Sequence, residues 1–181
     1  MHCRMSDVGV RLEPWTEADP GVELRNNSPV MTVFLGGPLN ESVVRGRHER
    51  FLRGQADGTI AQFTLRSDAE SEPLGTVGYW QTEHGGDEVY ECGWFVFPPF
   101  QGRRYAGRGV RLLLEHAAFR GDRDTMYALP RTDNVASNRL ARTEGFINTG
   151  VEDFEYPQGV AIKVNAWAFD LCAVRSVGKA D

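Results

Sequence analysis

Arginine and glycine are concentrated in one short segment of this sequence, and their spacing suits the binding of a polyanion. Between Gln101 and Arg111 the chain carries no acid and four arginines, Arg103, Arg104, Arg108 and Arg111. An apolar segment precedes them and an amphipathic one follows, as in a strand, a loop and the start of a helix. The first N–H groups of a helix lack partners within it, and the helix dipole adds positive potential there. The segment therefore indicates either a phosphate or pyrophosphate site or a solvated basic turn that only caps a helix.

The elements that must position this loop follow one another as short strands and helices. We predict strands at residues 10–14, 60–65, 76–80, 89–97, 125–129, 146–154 and 160–171, with a hairpin turn at 84–87. Helices are predicted at 16–24, 30–35, 40–54, directly after the loop, and at 134–144. Asn40 is the expected cap of the third, and Pro98 and Pro99 end the strand before the loop. This order predicts an α/β (α+β) fold with a mixed, mostly antiparallel central sheet flanked by helices.

Length and composition bound the remaining possibilities. The 181 residues suit one domain at 10–172, between a flexible N-terminus at 1–9 and a C-terminal tail at 173–181. A net charge of −5 disfavours a general nucleic-acid binder. The three cysteines are far apart and the four histidines do not cluster, so neither a disulfide framework nor a metal site is expected. Without an apolar run long enough to span a membrane or an apolar signal-peptide core, the sequence predicts a cytoplasmic protein that contacts no membrane.

Two segments resemble the signatures of the GNAT family of N-acetyltransferases. Residues 101–106, QGRRYA, look like its Q/R-x-x-G-x-G/A acyl-CoA signature. Residues 134–139, NVASNR, followed by Gly145–Phe146, resemble the second signature, N-x-x-S-N ending in a Gly-Phe pair. This variant is similar to the branch that acetylates the N-termini of ribosomal proteins and to its small-molecule relatives. The resemblance extends from about Val10 to Leu171 and implies a single GNAT-like domain.

The resemblance also implies acetyl-CoA as co-substrate and a set of residues that hold it. The pantetheine arm would pair with the strand before the loop, where a backbone N–H near Phe95 or Val96 would hold the thioester oxygen. The pyrophosphate would meet the N–H groups of residues 103–107. The implied cofactor-binding residues are Trp94, Phe95, Val96, Gln101, Gly102, Arg103, Arg104, Tyr105, Ala106, Gly107, Asn134 and Ser137.

One position departs from the family pattern, because Arg104 stands where the first signature has a glycine. Glycine there permits a left-handed backbone and a close approach to the ligand. If the left-handed region is required, an arginine costs about 1 kcal/mol. Its guanidinium would equally add a charged donor for phosphate.

Glu91 and Ser137 are the residues that the resemblance points to for catalysis. An ammonium substrate must lose a proton before it attacks, and Glu91 is the expected base, directly or through water; the alternative is an ordinary strand carboxylate. Gly93 beside it is expected to mark a bulge. Ala141 stands where many relatives have a tyrosine that protonates the leaving thiolate, so Ser137 is the expected acid, with Tyr105 as a weaker alternative. Ser137 is otherwise a surface hydroxyl bonded to its own helix.

The acceptor is expected to be a primary amine, of a small molecule or of a protein N-terminus. Trp80, Glu91, Glu155 and Tyr156 would form an acidic, aromatic-lined acceptor site; the alternative for the last two is a solvated hairpin tip. Two rival functions keep the fold: a non-catalytic module that binds acyl-CoA, and an enzyme with a different acyl chemistry. Members of the family are often dimers, so a homodimer is also considered.

Overall fold

The computed structural model describes residues 6–7 and 9–177. Within these residues the centre is one eight-stranded sheet. Its strands are β1 (Ser6–Asp7), β2 (Val10–Pro14), β3 (Ile60–Arg66), β4 (Gly75–His84), β5 (Asp87–Val96), β6 (Thr125–Ala128), β7 (Ile147–Glu155) and β8 (Ala161–Asp170). They lie in the order β1-β2-β3-β4-β5-β6-β8-β7, and every neighbouring pair is antiparallel except β5 and β6. The predicted fold class, with a mixed and mostly antiparallel sheet, is confirmed.

Helices cover both faces of this sheet. They are α1 (Pro20–Asn26), α2 (Glu41–Asp57), α3 (Tyr105–Arg120), α4 (Val135–Thr143) and α5 (Leu171–Val177), with a short 3-10 turn at Pro98–Phe100. On one face, α3 buries the predicted apolar stripe of Val110, Leu113, Leu114 and Ala117. Gly109 allows α3 to lie close to β3, since a Cβ there would be 2.8 Å from Leu65 Cδ1.

The other face of the sheet is covered by α1 and α2, and buried polar side chains join α1 to the sheet. Asn26 Nδ2 donates to Thr76 Oγ1 of β4 at 3.1 Å, and Thr64 Oγ1 of β3 donates to Asp19 Oδ1 at 3.1 Å. These four residues are all buried, so hydrogen bonding here takes the place that apolar packing takes under α3. We call this set, together with Glu23 and Arg47, the polar layer.

The prediction of a helix at residues 30–35 is wrong, because this segment is a series of turns. Its apolar residues Val30 and Val33 are 63% and 61% exposed, so the pattern that suggested a helix buries no apolar stripe. The ends of the segment are held by the Asn27 amide, which donates to Leu39 O at 2.8 Å and accepts from Leu39 N at 2.9 Å. A side chain twelve residues from its partner, rather than a helical repeat, therefore shapes this loop.

Three further details differ from the sequence expectations. Helix α1 begins at Pro20, four residues later than predicted. Asn40 occupies the cap position of α2, but its side chain makes no cap hydrogen bond. The pairing of β4 with β5 runs without a register shift through Gly78 and Gly93, so the bulge expected at Gly93 is absent; a shift occurs instead in β7, between Asn148 and Gly150.

Ordered elements also extend into the described parts of both terminal segments. Strand β1 pairs with β2 inside the segment expected to be flexible, and α5 continues past residue 172 and contacts α3, with Arg175 Nε donating to Ala118 O at 3.0 Å. The domain limits themselves stay a prediction, and residues 1–5, 8 and 178–181 lie outside the described part of the chain.

Candidate active site

A gap opens in the sheet where β5 and β6 separate. The two parallel strands pair only at Tyr90 with Met126 and at Glu91 with Tyr127, whereas β5 continues to Val96. Trp94, Phe95 and Val96 therefore keep β4 as their neighbour on one edge and, among the described residues, have no strand partner on the other. Backbone groups on an unpaired edge are available to an extended ligand.

The loop after β5 leads into α3 through two residues with a left-handed backbone. Gln101 Nε2 donates to Val96 O at 2.8 Å and holds the loop against the end of the strand. Gly102 has φ +73° and Arg104 has φ +64°, and Arg104 is the only non-glycine residue with positive φ in the described chain. No side chain caps α3 at Arg104, so the N–H groups of its first turn receive no hydrogen bond from the cap residue. The left-handed conformation that a glycine would favour is thus adopted by an arginine.

The four arginines of this segment separate into two groups in three dimensions. Arg103 pairs with Glu70 at 2.6 Å, and Arg111 pairs with Glu144 at 2.7 Å. Arg104 and Arg108 form no ion pair with any side chain of residues 9–176. The block of four charges seen in the sequence is therefore reduced to two uncompensated cations, both at the start of α3.

Glu144 connects the end of α4 to the first turn of α3. Its side chain is 4% exposed, and a Cβ at Gly107 would collide with its Oε1 atom. Gly107 therefore leaves room for a buried carboxylate beside residues 101–107, which we call the cradle. The carboxylate lies near the positive end of the α3 dipole, where negative charge is favoured.

Ser137 and Asn134 lie at the start of α4 and are held by several contacts. Asn134 caps the helix, with its Oδ1 accepting from Ser137 N at 3.1 Å. Asn138 uses both ends of its amide: Nδ2 donates to Arg131 O and Asn134 O at 2.8 Å each. Its Oδ1 accepts from Trp167 Nε1 at 2.9 Å and from Asn165 Nδ2 at 2.7 Å.

A hydrogen bond joins this helix to β5. Trp94 Nε1 of β5 donates to Ser137 Oγ at 3.3 Å. Ser137 follows β6 and Trp94 belongs to the unpaired part of β5, so their contact connects the two sides of the gap. The structure thus brings together two of the residues that the sequence assigned to the cofactor.

Glu91 lies at the last paired position before the gap, on the face opposite Trp94. Burial raises the pKa of its carboxyl to about 7, and a hydrogen bond from the Trp80 side chain opposes part of this increase. Trp80 is directly opposite Glu91 in the β4–β5 register, and its ring extends across Gly93. No cation pairs with Glu91 among the described side chains. A carboxyl with a pKa near 7 accepts and releases a proton readily at neutral pH.

The hairpin between β7 and β8 carries the other two predicted acceptor residues. Glu155 Oε1 accepts from Gly159 N at 2.9 Å, which ties this carboxylate to its own hairpin. Tyr156 is half-buried beside Pro157. A Cβ at Gly36 would lie 2.7 Å from Pro157 Cδ, so the hairpin tip rests on the loop between α1 and α2. Their roles in binding an acceptor stay predictions.

Three residues on the Glu91 face were missed by the sequence analysis. His84 is stacked on Tyr127, with ring centroids 3.8 Å apart, and its Nε2 lies 3.2 Å from Glu152 Oε1. These residues belong to β4, β6 and β7, which are not neighbours, so their side chains reach each other across the face of the sheet. His84 was assigned to a turn, whereas the turn is only Gly85–Gly86; counting in twos from Trp80 would have placed it on the same face.

A family model described as an acetyltransferase (GNAT) domain matches residues 10–147. No curated protein matches the chain. Among solved structures, an acetyltransferase from Salmonella typhimurium that modifies the N-terminal serine of ribosomal protein L7/L12 is 21% identical, with 91% of this chain and 96% of that chain covered and a TM-score of 0.76. Spermidine N-acetyltransferase from Vibrio cholerae, in complex with CoA and spermine, is 14% identical, with coverage of 93% and 99% and a TM-score of 0.76.

A third structure, the RimL ribosomal L7/L12 acetyltransferase in complex with coenzyme A, is 20% identical, with coverage of 91% and 95% and a TM-score of 0.72. At these identities the structural likenesses establish the fold alone. The family model does more, because it spans the separated strands β5 and β6, the cradle and both helices of the site. The predicted family is confirmed, and the chain belongs to the GNAT family of acetyltransferases.

Proposed function

We propose that this protein is an acetyl-CoA-dependent N-acetyltransferase that transfers acetyl directly to a primary amine. The observation that carries the proposal is the Glu91 carboxyl, whose pKa is near 7 at the point where β5 and β6 separate. A base of this kind is what an ammonium acceptor needs at neutral pH. The family of the chain supports the reaction, and the position of Glu91 supports its assignment as the base.

The residues around the gap fit acetyl-CoA, which supplies the activated thioester. The unpaired edge of Trp94, Phe95 and Val96 suits an extended amide-bearing arm. The cradle offers uncapped N–H groups and two cations without acidic partners, as a pyrophosphate requires. We assign the arm to Trp94, Phe95, Val96, Asn134 and Ser137, and the phosphates to Gln101, Gly102, Arg103, Arg104, Tyr105, Ala106 and Gly107.

Proton transfer is assigned to the two sides of the gap. Glu91 accepts the proton of the bound ammonium, directly or through water, and leaves the amine free to attack. Ser137 donates a proton to the departing sulfur. Tyr105 is less suited to that role because it is buried and its hydroxyl accepts from Arg103 Nη2 at 3.1 Å.

Direct transfer is favoured over an acetyl-cysteine intermediate. Cys92 is the cysteine nearest to Glu91, but it is buried in the core under α3. Desolvation raises the pKa of its thiol well above the ordinary value. A thiol held neutral is a poor nucleophile, so the amine attacks without a covalent enzyme intermediate.

The acceptor is a primary amine of a small molecule or of a protein N-terminus. Trp80 and Glu91 form its floor, and Glu155 and Tyr156 form part of its rim. Two of the solved relatives are named for acceptors of different kinds. One modifies the N-terminal serine of L7/L12, and the other is a spermidine N-acetyltransferase. For this chain the acidic Glu91 and Glu152 favour a cationic acceptor without deciding between the two classes.

The test is a turnover assay of the purified protein with acetyl-CoA and a panel of small amines and N-terminal peptides. Release of free CoA and a mass increase of one acetyl group on the acceptor are expected, and both depend on Glu91. Binding of acetyl-CoA without turnover on any acceptor would favour the non-catalytic module, and transfer of another acyl group from a thioester panel would favour the different acyl chemistry. Absence of both binding and turnover would contradict all three functions.

We also propose a cytoplasmic location and a homodimer. In the described chain no helix is long and apolar enough to cross a membrane, and the thiols of Cys92 and Cys172 are free. The edge strand β7 exposes Ile147 and Val151, which suits an interface between copies. Light scattering across a concentration series tests the dimer, and fractionation of cells tests the location.

A further inference from the structure

We propose that Trp94 is a positioning residue that sets the direction in which the Ser137 hydroxyl donates its proton. The inference rests on the proposed function, in which Ser137 protonates the leaving sulfur. It adds a residue that acts through Ser137 and not on the substrate itself.

The chemistry of the two groups fixes which one donates. An indole N–H is a donor only, so Ser137 Oγ must be the acceptor in the 3.3 Å contact. A serine hydroxyl has one proton to give and two lone pairs. With a lone pair used by Trp94, the hydroxyl proton is directed away from the indole.

The usual competitor for this proton is the backbone of the preceding helical turn. Here the carbonyl three residues earlier, Asn134 O, already accepts from Asn138 N at 3.0 Å and from Asn138 Nδ2 at 2.8 Å. Both of its lone pairs are therefore in use. Within residues 9–176 the Ser137 hydroxyl donates to no protein group, so its proton remains available at the gap.

The position of the oxygen atom is fixed separately from the direction of its proton. Ser137 N is held by the Asn134 cap, and Asn138 anchors the same turn to β8 through Asn165 and Trp167. Trp94 contributes nothing to these contacts. It belongs to β5, across the gap, and its indole N–H bonds only to Oγ. Loss of its N–H therefore releases the rotation of the hydroxyl while leaving the helix in place.

The proton balance of the step is complete. Ser137 Oγ gives its proton to the sulfur, which takes the electron pair of the broken carbon–sulfur bond. The oxygen keeps the pair of its former O–H bond as an alkoxide, which the Trp94 N–H stabilises through the same contact. Water then returns a proton to Oγ, and the hydroxide that remains takes up the proton that the acylated nitrogen loses as the amide forms.

The experiment is a double-mutant cycle with Trp94→Phe and Ser137→Ala in the full chain. Ser137→Ala is expected to lower kcat on the order of 100-fold, and Trp94→Phe on the order of 10-fold, the smaller share expected of an orienting group. With kcat measured at saturating acetyl-CoA, because Trp94 and Ser137 are also assigned to the pantetheine arm, the double variant should be no slower than Ser137→Ala alone. Trp15→Phe is the matched control, because it also removes an indole N–H, bonded to His48 at 3.0 Å, and should keep kcat.

The outcomes separate this inference from the proposed function. If Ser137→Ala leaves kcat unchanged, the acid role of Ser137 and this inference both fall, while amine acetylation stands. If Ser137→Ala is slow but Trp94→Phe is not, or if the two losses multiply, Trp94 does not act through Ser137. If the protein has no activity, the nitrogen-15 NMR signal of the Trp94 indole still tests the contact: it should shift in Ser137→Ala, and an unchanged signal overturns the inference.

Discussion

The two faces of strand β5 are built from different kinds of side chain. Towards α3, Tyr90, Cys92 and Val96 belong to the apolar core. Towards α1 and α2, Glu91 and Gly93 share a face with the polar layer, where side chains hold one another by hydrogen bonds. The comparison teaches that the face towards α3, the proposed cofactor side, is stabilised by burial of apolar area. On the face towards α1 and α2, the proposed acceptor side, hydrogen bonds and an ion pair between buried polar groups contribute as well, although Asn26 Oδ1 has no hydrogen-bond partner in the described chain.

The carboxylates on the acceptor side differ from one another in their partners. Glu23, 2% exposed, accepts from Arg47 Nε and from Asn26 Nδ2. Glu91 has only the Trp80 side chain, so desolvation is not offset by a cation and its pKa rises to about 7. The same face thus holds one buried carboxylate that is paired with a cation and another that, among the described side chains, is not.

The largest effect is expected for Glu91→Gln, which should lower kcat by about 10²- to 10⁴-fold. In the native protein kcat/KM should rise as the pH increases through about 7, because only the ionised carboxylate accepts a proton. The variant should lose this inflection in a pH–rate profile measured with one amine. An inflection near 7 that persists in the variant would assign the base to another group.

Stability should change in the opposite direction in the same variant. The folded-state pKa of Glu91 is raised above its usual 4.5, so the folded protein binds this proton more tightly than the unfolded chain does. The free energy of unfolding therefore decreases as the pH rises from about 4.5 to about 7. Glu91→Gln removes this decrease, and thermal denaturation at pH 8 should find it at least as stable as the native protein.

Arg47→Met tests the polar layer, since it leaves the Glu23 carboxylate buried without its cation. A loss of about 3–5 kcal/mol in the free energy of unfolding is expected from urea denaturation. The matched control is Arg45→Met on the same helix, whose pair with Glu41 is exposed and should contribute only about 0.3–0.5 kcal/mol. Equal losses in the two variants would mean that the layer does not depend on its buried charge pair.

Gly107→Ala tests the cofactor side, because the added methyl would displace the Glu144 carboxylate and disturb its pair with Arg111. We expect a loss of about 1–3 kcal/mol in the free energy of unfolding and weaker binding of CoA by calorimetry. Gly46→Ala in α2 is the control: a Cβ there meets no atom within 4 Å, and the higher helix propensity of alanine should stabilise it by about 1 kcal/mol. A stabilised Gly107→Ala protein would contradict the assignment of Glu144.

Arg104→Gly should have the smallest effect on stability. It should also change stability and CoA binding in opposite directions. Relief of the left-handed arginine, φ +64°, is expected to raise the free energy of unfolding by about 1 kcal/mol. Affinity for CoA should fall, and its salt dependence should weaken, because a cation is lost from the cradle. Arg108→Gln, also a cation without an acidic partner, should weaken binding without the gain in stability. Unchanged affinity in Arg104→Gly would remove Arg104 from the phosphate site.

The cofactor side was predictable from the sequence because its determinants are local. Pro98 and Pro99 end β5, and the loop and the apolar stripe of α3 follow within twenty residues. The acceptor side depends on distant partners: the loop after α1 is shaped by Asn27 and Leu39. The pKa of Glu91 likewise depends on which charges the fold keeps away from it. One feature of the cofactor side is also non-local, because Arg103 and Arg111 pair with acids 33 residues away in the sequence. None of these contacts produces a periodic pattern in the sequence from which it could be predicted.

The contact between Gly36 and Pro157 has a consequence for how this protein can change over evolution. The two residues belong to separate loops and touch closely enough that a Cβ at position 36 would be 2.7 Å from Pro157 Cδ. A larger residue at 36 therefore requires a retracted or smaller hairpin tip, so the two loops must diversify together. Neither loop belongs to α3 or α4. A lineage with this fold can thus exchange these two loops as a matched pair while α3, α4 and the cradle are inherited unchanged.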